Sequence, residues 1–222
     1  MFKISLIMLF VIVSFTQVEK NKSVGQKKTK GTYFQNRKEK KLKCESDEFR
    51  GVKRKQVKTS VDSAPIQFYE SLTELMNSLP ADSLMINLCK LTKEDDLNRL
   101  EDEKRNVQLK NVFIHAIKRE LDNDFHLIIG DGNGNFFNVE NSGLPPENSQ
   151  HYQLLLEARR QFENRFGEMC SGKYTSYKKP IAIEIEGSLF YDIDHRPGAV
   201  GPKGLRPKTA WEVHPITKMI FK

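Results

Sequence analysis

Acids and histidines fall close together at three places in the second half of the chain: Asp124 and His126 in DFH, Asp192 and His195 in FYDIDH, and Glu212 and His214 in WEVHP. Imidazole nitrogens and carboxylate oxygens are the usual ligands of zinc and similar divalent ions. His126, Asp192, His195, Glu212 and His214 are therefore candidate metal ligands, and a metal-dependent, nuclease-like hydrolase with an ion-activated water is one expectation. The same groups suit a second role, accepting hydrogen bonds and tethering the long loop that follows His195. Their spacing lacks the tightness of H-E-x-x-H, so the sequence leaves both readings open.

Other chemistry is absent from the sequence. No Ser or Cys nucleophile stands in a known motif, and there is no phosphate loop or dinucleotide fingerprint. DGNGN at 131–135 opens like a calcium loop, but Phe136 stands where Gly is required and Ser142 where the closing Glu belongs, so it reads as a Gly-rich turn.

The elements that must position these residues are short and rich in β-formers. Strands are expected at 111–120, 125–130, 136–140, 181–193 and 210–221, with a helix after 151 marked by Tyr152, Leu155, Leu156, Ala158, Arg159 and Phe162. Five strands with a helix between the third and fourth suggest a mainly β, α+β domain of OB-like five-stranded barrel type. In the fourth strand, alternation puts Ile181, Ile183, Ile185, Leu189, Tyr191 and Ile193 on a core face. Ala182, Glu184, Glu186, Ser188, Phe190, Asp192 and Asp194 fall on the other face. Fifteen residues at about 3.3 Å each would span roughly 50 Å, so a bend is expected at Gly187. Asp192 and His195 converge only if the chain turns at or before His195, where RPGAVGPKGLRPK begins.

DNDFHLIIGD, GSLFYDIDH and WEVHPI together resemble the D-[FY]-H-L, F-[FY]-D-x-x-H and E-x-H-P motifs of an uncharacterised family of small exported bacterial domains. The resemblance covers about residues 105–221. By position it marks Asp124, His126, Phe190, Asp192, His195, Glu212, His214 and Pro215 and leaves Asp194 open. It implies a domain and its candidate positions but no reaction.

Upstream, residues 66–79 carry Phe68, Leu72, Leu75, Met76 and Leu79 at helical spacing, ended by Pro80, and a polar connector runs through 92–104. Residues 1–16, with one Lys and an uncharged run from Ile4 to Phe15, read as a secretory signal peptide, too short for a stable membrane span. Export, to the periplasm or the medium, follows from that reading. Between Glu19 and Thr59, fifteen Lys and Arg stand against five Asp and Glu, so the net charge of +7 belongs to this segment and residues 60–222 are net acidic. The segment 17–62 is accordingly expected to be a disordered basic arm, with 63–104 a helical segment and connector and 105–222 the barrel. A basic arm attracts polyanions such as nucleic acid or an envelope polymer, and a protein partner is a further expectation. Arg196, Lys203, Arg206 and Lys208 in the loop between the last two strands form a candidate anion-binding set. The resulting functional expectation is an exported binding or interaction module for a polyanion or envelope partner, with the metal-dependent hydrolase as the alternative. Of Cys44, Cys89 and Cys170, the pair Cys89–Cys170 is the expected disulfide, because an oxidising compartment permits one.

Overall fold

The computed structural model describes residues 46–91 and 98–222. The signal peptide, most of the basic arm and Cys44 lie outside the described residues. No helix among the described residues is long and apolar enough to cross a membrane.

The fold is mixed α+β and dominated by one six-stranded sheet rather than five strands. Its strands are β1 (Ile66–Tyr69), β2 (Asn106–Arg119), β3 (Phe125–Gly130), β4 (Phe136–Asn141), β5 (Thr175–Tyr191) and β6 (Trp211–Phe221). They pair in the order β1-β2-β3-β4-β6-β5, and β5 pairs again with β2, so the last five strands form a closed ring of pairings. Among the described residues four helices accompany them: α1 (Lys55–Lys58), α2 (Leu72–Asn77), α3 (Asp82–Leu91) and α4 (Tyr152–Phe166). A 3-10 turn spans Glu101–Glu103.

The unexpected strand is β1, which occupies the start of the stretch read as one helix. Ser71 explains the break, because its hydroxyl accepts the Glu74 N–H at 3.1 Å while the Glu74 carboxylate accepts the Glu70 N–H at 3.0 Å. This reciprocal pair starts α2 at Leu72 and leaves Ile66–Tyr69 free to lie parallel to β2. β5 is longer than expected and bends at Gly187, where the register with β6 shifts. A Cβ on Gly187 would collide with the Pro215 carbonyl oxygen and a Val213 methyl, so only glycine permits this approach.

One face of the ring makes the core. Val107, Leu109, Leu127, Ile129, Phe137, Val139, Ile183, Ile185, Leu189, Tyr191 and Val213 are buried there, and α4 closes it by stacking Phe162 on Phe125 with ring centres 4.3 Å apart. Ile181 packs against this core, but Ile193 does not, because β5 has already ended at Tyr191.

The alternate residues point outward, yet near the candidate site they too are buried. The cover is the segment 46–62, all of which the sequence assigned to a disordered arm. Phe49 and Val57 are buried, Glu48 bridges to Leu144, and Lys53, Arg54 and Lys58 form ion pairs with Asp194, Glu103 and Asp192. Arg99 clamps the segment to the ring: its guanidinium donates to the carbonyls of Val57 and Ser60 on one side and of Leu189 and His214 on the other. The charges that made the segment look solvated are thus partly consumed by buried acids on the ring.

The expected disulfide is corrected. Cys170 is disulfide-bonded, whereas Cys89 keeps a thiol that burial pushes up to about 11.

Candidate metal centre

β3, β4 and β6 bring four polar residues together by register alone. His126 on β3 sits opposite Glu140 on β4, and Asn138 on β4 sits opposite Glu212 on β6. Two-residue alternation then places Asp124, His126, Asn138, Glu140, Glu212 and His214 on one face, opposite the core residues Phe125, Leu127, Phe137, Val139 and Val213. The cluster therefore lies on the outer face of the sheet rather than at the end of the ring.

Asp192 and His195 reach it because the chain turns immediately after β5. The His195 N–H donates to the Asp192 carbonyl at 3.0 Å, and the Asp194 N–H donates to Asp192 Oδ1 at 2.9 Å. The turn swings the His195 ring back over the sheet, edge-on to His126 with centres 4.9 Å apart. Asp194 is left outside, paired with Lys53 at 3.0 Å.

Distances within the cluster are short. His126 Nε2 lies 2.8 Å and His195 Nδ1 3.7 Å from the same oxygen, Glu140 Oε1, and ligand atoms of these three residues all lie within 4.8 Å of one another. The other His126 nitrogen faces Glu120 Oε1 at 3.4 Å, a carboxylate behind a histidine of the kind that orients metal ligands. Two further groups satisfy the same limit, Asp192–His195–Glu212 and Asp124–Glu140–His214. An open pocket lies over the first group, lined by Lys58, Glu120, Leu121, Asp122, His126 and His195.

Four buried carboxylates, Asp124, Glu140, Asp192 and Glu212, face one ammonium among the described residues, the half-buried Lys58, so the cluster needs positive charge from elsewhere. Burial disfavours the charged Lys58, yet Asp192 and the other three acids outweigh it and hold its pKa well above the usual value. Burial also works against ionised Asp192, but Lys58 at 2.8 Å and His195 draw its pKa down to about 2. Glu140 likewise stays ionised, burial being overcome by His126 and His214. Asp124 alone is pushed well above the carboxylate range by its burial. His195 and His214, which burial would discharge, are raised to about 10 by Glu212 and Glu140 respectively and by the neighbouring acids. Without an ion the cluster balances itself by holding protons on imidazoles. A divalent cation would do the same job and release those protons.

All six residues singled out in the sequence, Asp124, His126, Asp192, His195, Glu212 and His214, join this cluster. The loop cations do not: Arg196, Lys203, Arg206 and Lys208 are exposed, and Arg206 donates to the Gly198 carbonyl. Sequence reasoning missed Glu140 and Lys58. Glu140 was legible in principle, because Gly130 pairs with Phe136 across DGNGN, and counting outward from that pair puts Glu140 opposite His126. Lys58 carried no signal, being one cation in a basic run.

No family model, no curated protein and no solved structure matches the chain.

Proposed function

We propose that the protein is a metal-dependent hydrolase with a divalent transition-metal ion held by His126, Glu140 and His195. The observation that carries this reading is the convergence of two imidazole nitrogens on one carboxylate oxygen, at 2.8 and 3.7 Å, beneath an open pocket. Ligand atoms bonded at about 2.0–2.2 Å to one ion stand roughly 3–3.5 Å apart, and a set of two histidines and one glutamate leaves a position open, as in catalytic zinc sites. An ion held there would supply electrophilic activation and an acidified water. Glu120 orients the His126 ring, Asn138 holds Glu140 and Glu212 through its amide at 2.8 and 2.9 Å, and Lys58 presents an ammonium to the pocket.

A phosphodiester polyanion is the proposed substrate class, supported by the exposed Arg196, Lys203, Arg206 and Lys208 that follow His195 and by the basic stretch 19–59. The ring pairing order with α4 between β4 and β5 supports an OB-like barrel, the architecture that commonly carries oligonucleotide or oligosaccharide ligands. Export, inferred from residues 1–16, belongs to the same proposal.

The test is calorimetric titration of chelator-stripped, tag-free protein with Zn²⁺ and Mn²⁺, followed by hydrolysis of bis-p-nitrophenyl phosphate. Binding that weakens at least tenfold in Glu140→Gln, with metal-dependent turnover, supports the proposal. Salt-sensitive polyanion binding with neither metal uptake nor turnover would instead make the protein a binding module.

A further inference from the structure

Behind the pocket-facing residues lies a second convergence, wholly buried. Asp124, Glu140 and His214 are each 0 % exposed and offer ligand atoms within 4.8 Å of one another. In each, one polar atom is used for positioning. Asp124 Oδ1 accepts the Gly143 N–H at 2.6 Å, Glu140 Oε1 accepts the Asn138 amide at 2.8 Å, and His214 Nδ1 bonds to Glu212 Oε1 at 3.2 Å.

The remaining atoms of Asp124 and His214, Oδ2 and Nε2, are buried with no hydrogen-bond partner among the described residues, while Glu140 Oε2, buried as well, faces His214 Nδ1 at 2.9 Å. Buried polar atoms in that condition are uncommon, and two on adjacent side chains need a cause. Loop tethering does not supply one, because a tether uses its polar atoms. Asp124 Oδ2 and His214 Nε2 stand 3.5 Å apart, at the outer limit for a hydrogen bond, yet close to the roughly 3.4 Å edge between two ligands of one tetrahedral ion.

Glu140 connects the two convergences. Its Oε1 faces His126 and His195, while its Oε2 lies 2.9 Å from His214 Nδ1. A carboxylate presenting one oxygen to each of two ligand sets is the arrangement that bridges paired ions about 3.5–4 Å apart.

We propose that the protein has a second divalent-cation position, held by Asp124, Glu140 and His214, with Glu140 bridging it to the pocket-facing ion. The mixed nitrogen and oxygen donors suit Zn²⁺ or Mn²⁺. Glu212 holds the His214 ring through Nδ1, which leaves Nε2 turned toward Asp124. This inference rests on the metal reading of the pocket-facing site.

The experiment is metal stoichiometry on the full tag-free chain, stripped, then refolded from denaturant with Mn²⁺ so that burial does not block loading, and desalted. Two ions per chain are expected in the wild type and one in Asp124→Asn. Paramagnetic resonance of the wild type should show a spin-coupled Mn²⁺ pair, and Asp124→Asn should show an isolated ion. If that variant does not fold, the wild-type spectrum decides alone. One uncoupled ion per chain in the wild type would overturn the second position and leave the pocket-facing ion standing. No ion would overturn both, and two ions retained in folded Asp124→Asn would overturn the assigned ligands.

Discussion

Replacing Lys58 by Met removes the one ammonium that, among the described residues, stands between four buried carboxylates, while keeping most of the side-chain volume. Lys58 and Asp192 are 12 % and 7 % exposed and 2.8 Å apart, so the pair is shielded from solvent and salt. The Asp192 carboxyl lies at about 2 when folded against 3.8 as its ordinary value. That difference corresponds to about 2.5 kcal/mol of stability at neutral pH. Because the folded value is depressed, the contribution is present above about pH 4 and lost as pH falls toward 2, with roughly half remaining at pH 3. Stranding one member of a buried pair costs about 3–5 kcal/mol, so a loss of about 2–4 kcal/mol is expected for Lys58→Met at pH 7. Urea unfolding of metal-free wild type and variant at pH 7 and pH 3 measures it. The difference between the two proteins should shrink at pH 3 by about 1 kcal/mol. A difference below about 1 kcal/mol at pH 7, or one independent of pH, would refute the claim that Lys58 is what keeps Asp192 ionised.

In the metal-free protein the His195 and His214 rings, raised to about 10, contribute stability that is complete below their ordinary 6.5 and disappears as pH rises through 10. Thermal melts of metal-free protein should therefore fall steeply between pH 8 and pH 10.5, and imidazole proton resonances should show two rings that do not titrate between pH 5.5 and 8.5. Gly187→Ala forces a methyl into the Pro215 carbonyl oxygen and is expected to destabilise by at least about 2 kcal/mol by urea unfolding, while Gly132→Ala, with nothing nearby but a positive φ, should cost only about 1 kcal/mol. Arg99→Met removes the guanidinium that holds four carbonyls and is expected to cost at least about 3 kcal/mol, with residues 46–62 becoming the first site of limited proteolysis.

The sequence exposed the ring strands because alternation of apolar residues survives in them: Leu127, Ile129, Phe137, Val139 and Val213 all face the core as their spacing demands. It also exposed the necessary turn at His195, since Asp192 and His195 could not otherwise share a face. It misplaced Ile66–Tyr69, where the Ser71 and Glu74 cap outweighs a helical run of apolar residues. The packed segment 46–62 was hidden for a different reason. Its partners, Glu103 and Asp192, are acids remote in sequence, so its basic composition looked solvated while Arg54 and Lys58 were bound for buried ion pairs. Alternation put Phe190 and Ser188 on the face opposite the core, and both are buried beneath that segment, with the Arg54 guanidinium 4.7 Å from the centre of the Phe190 ring.

The central claim is that His126, Glu140 and His195 ligate one ion. Anomalous scattering from crystals of the zinc-loaded protein, recorded on either side of the zinc edge, locates that ion directly. The account predicts a peak within bonding distance, about 2.0–2.2 Å, of His126 Nε2, His195 Nδ1 and Glu140 Oε1. Crystals grown with excess zinc that show no peak at these three atoms, with Glu140 hydrogen-bonded to protonated imidazoles instead, would contradict it.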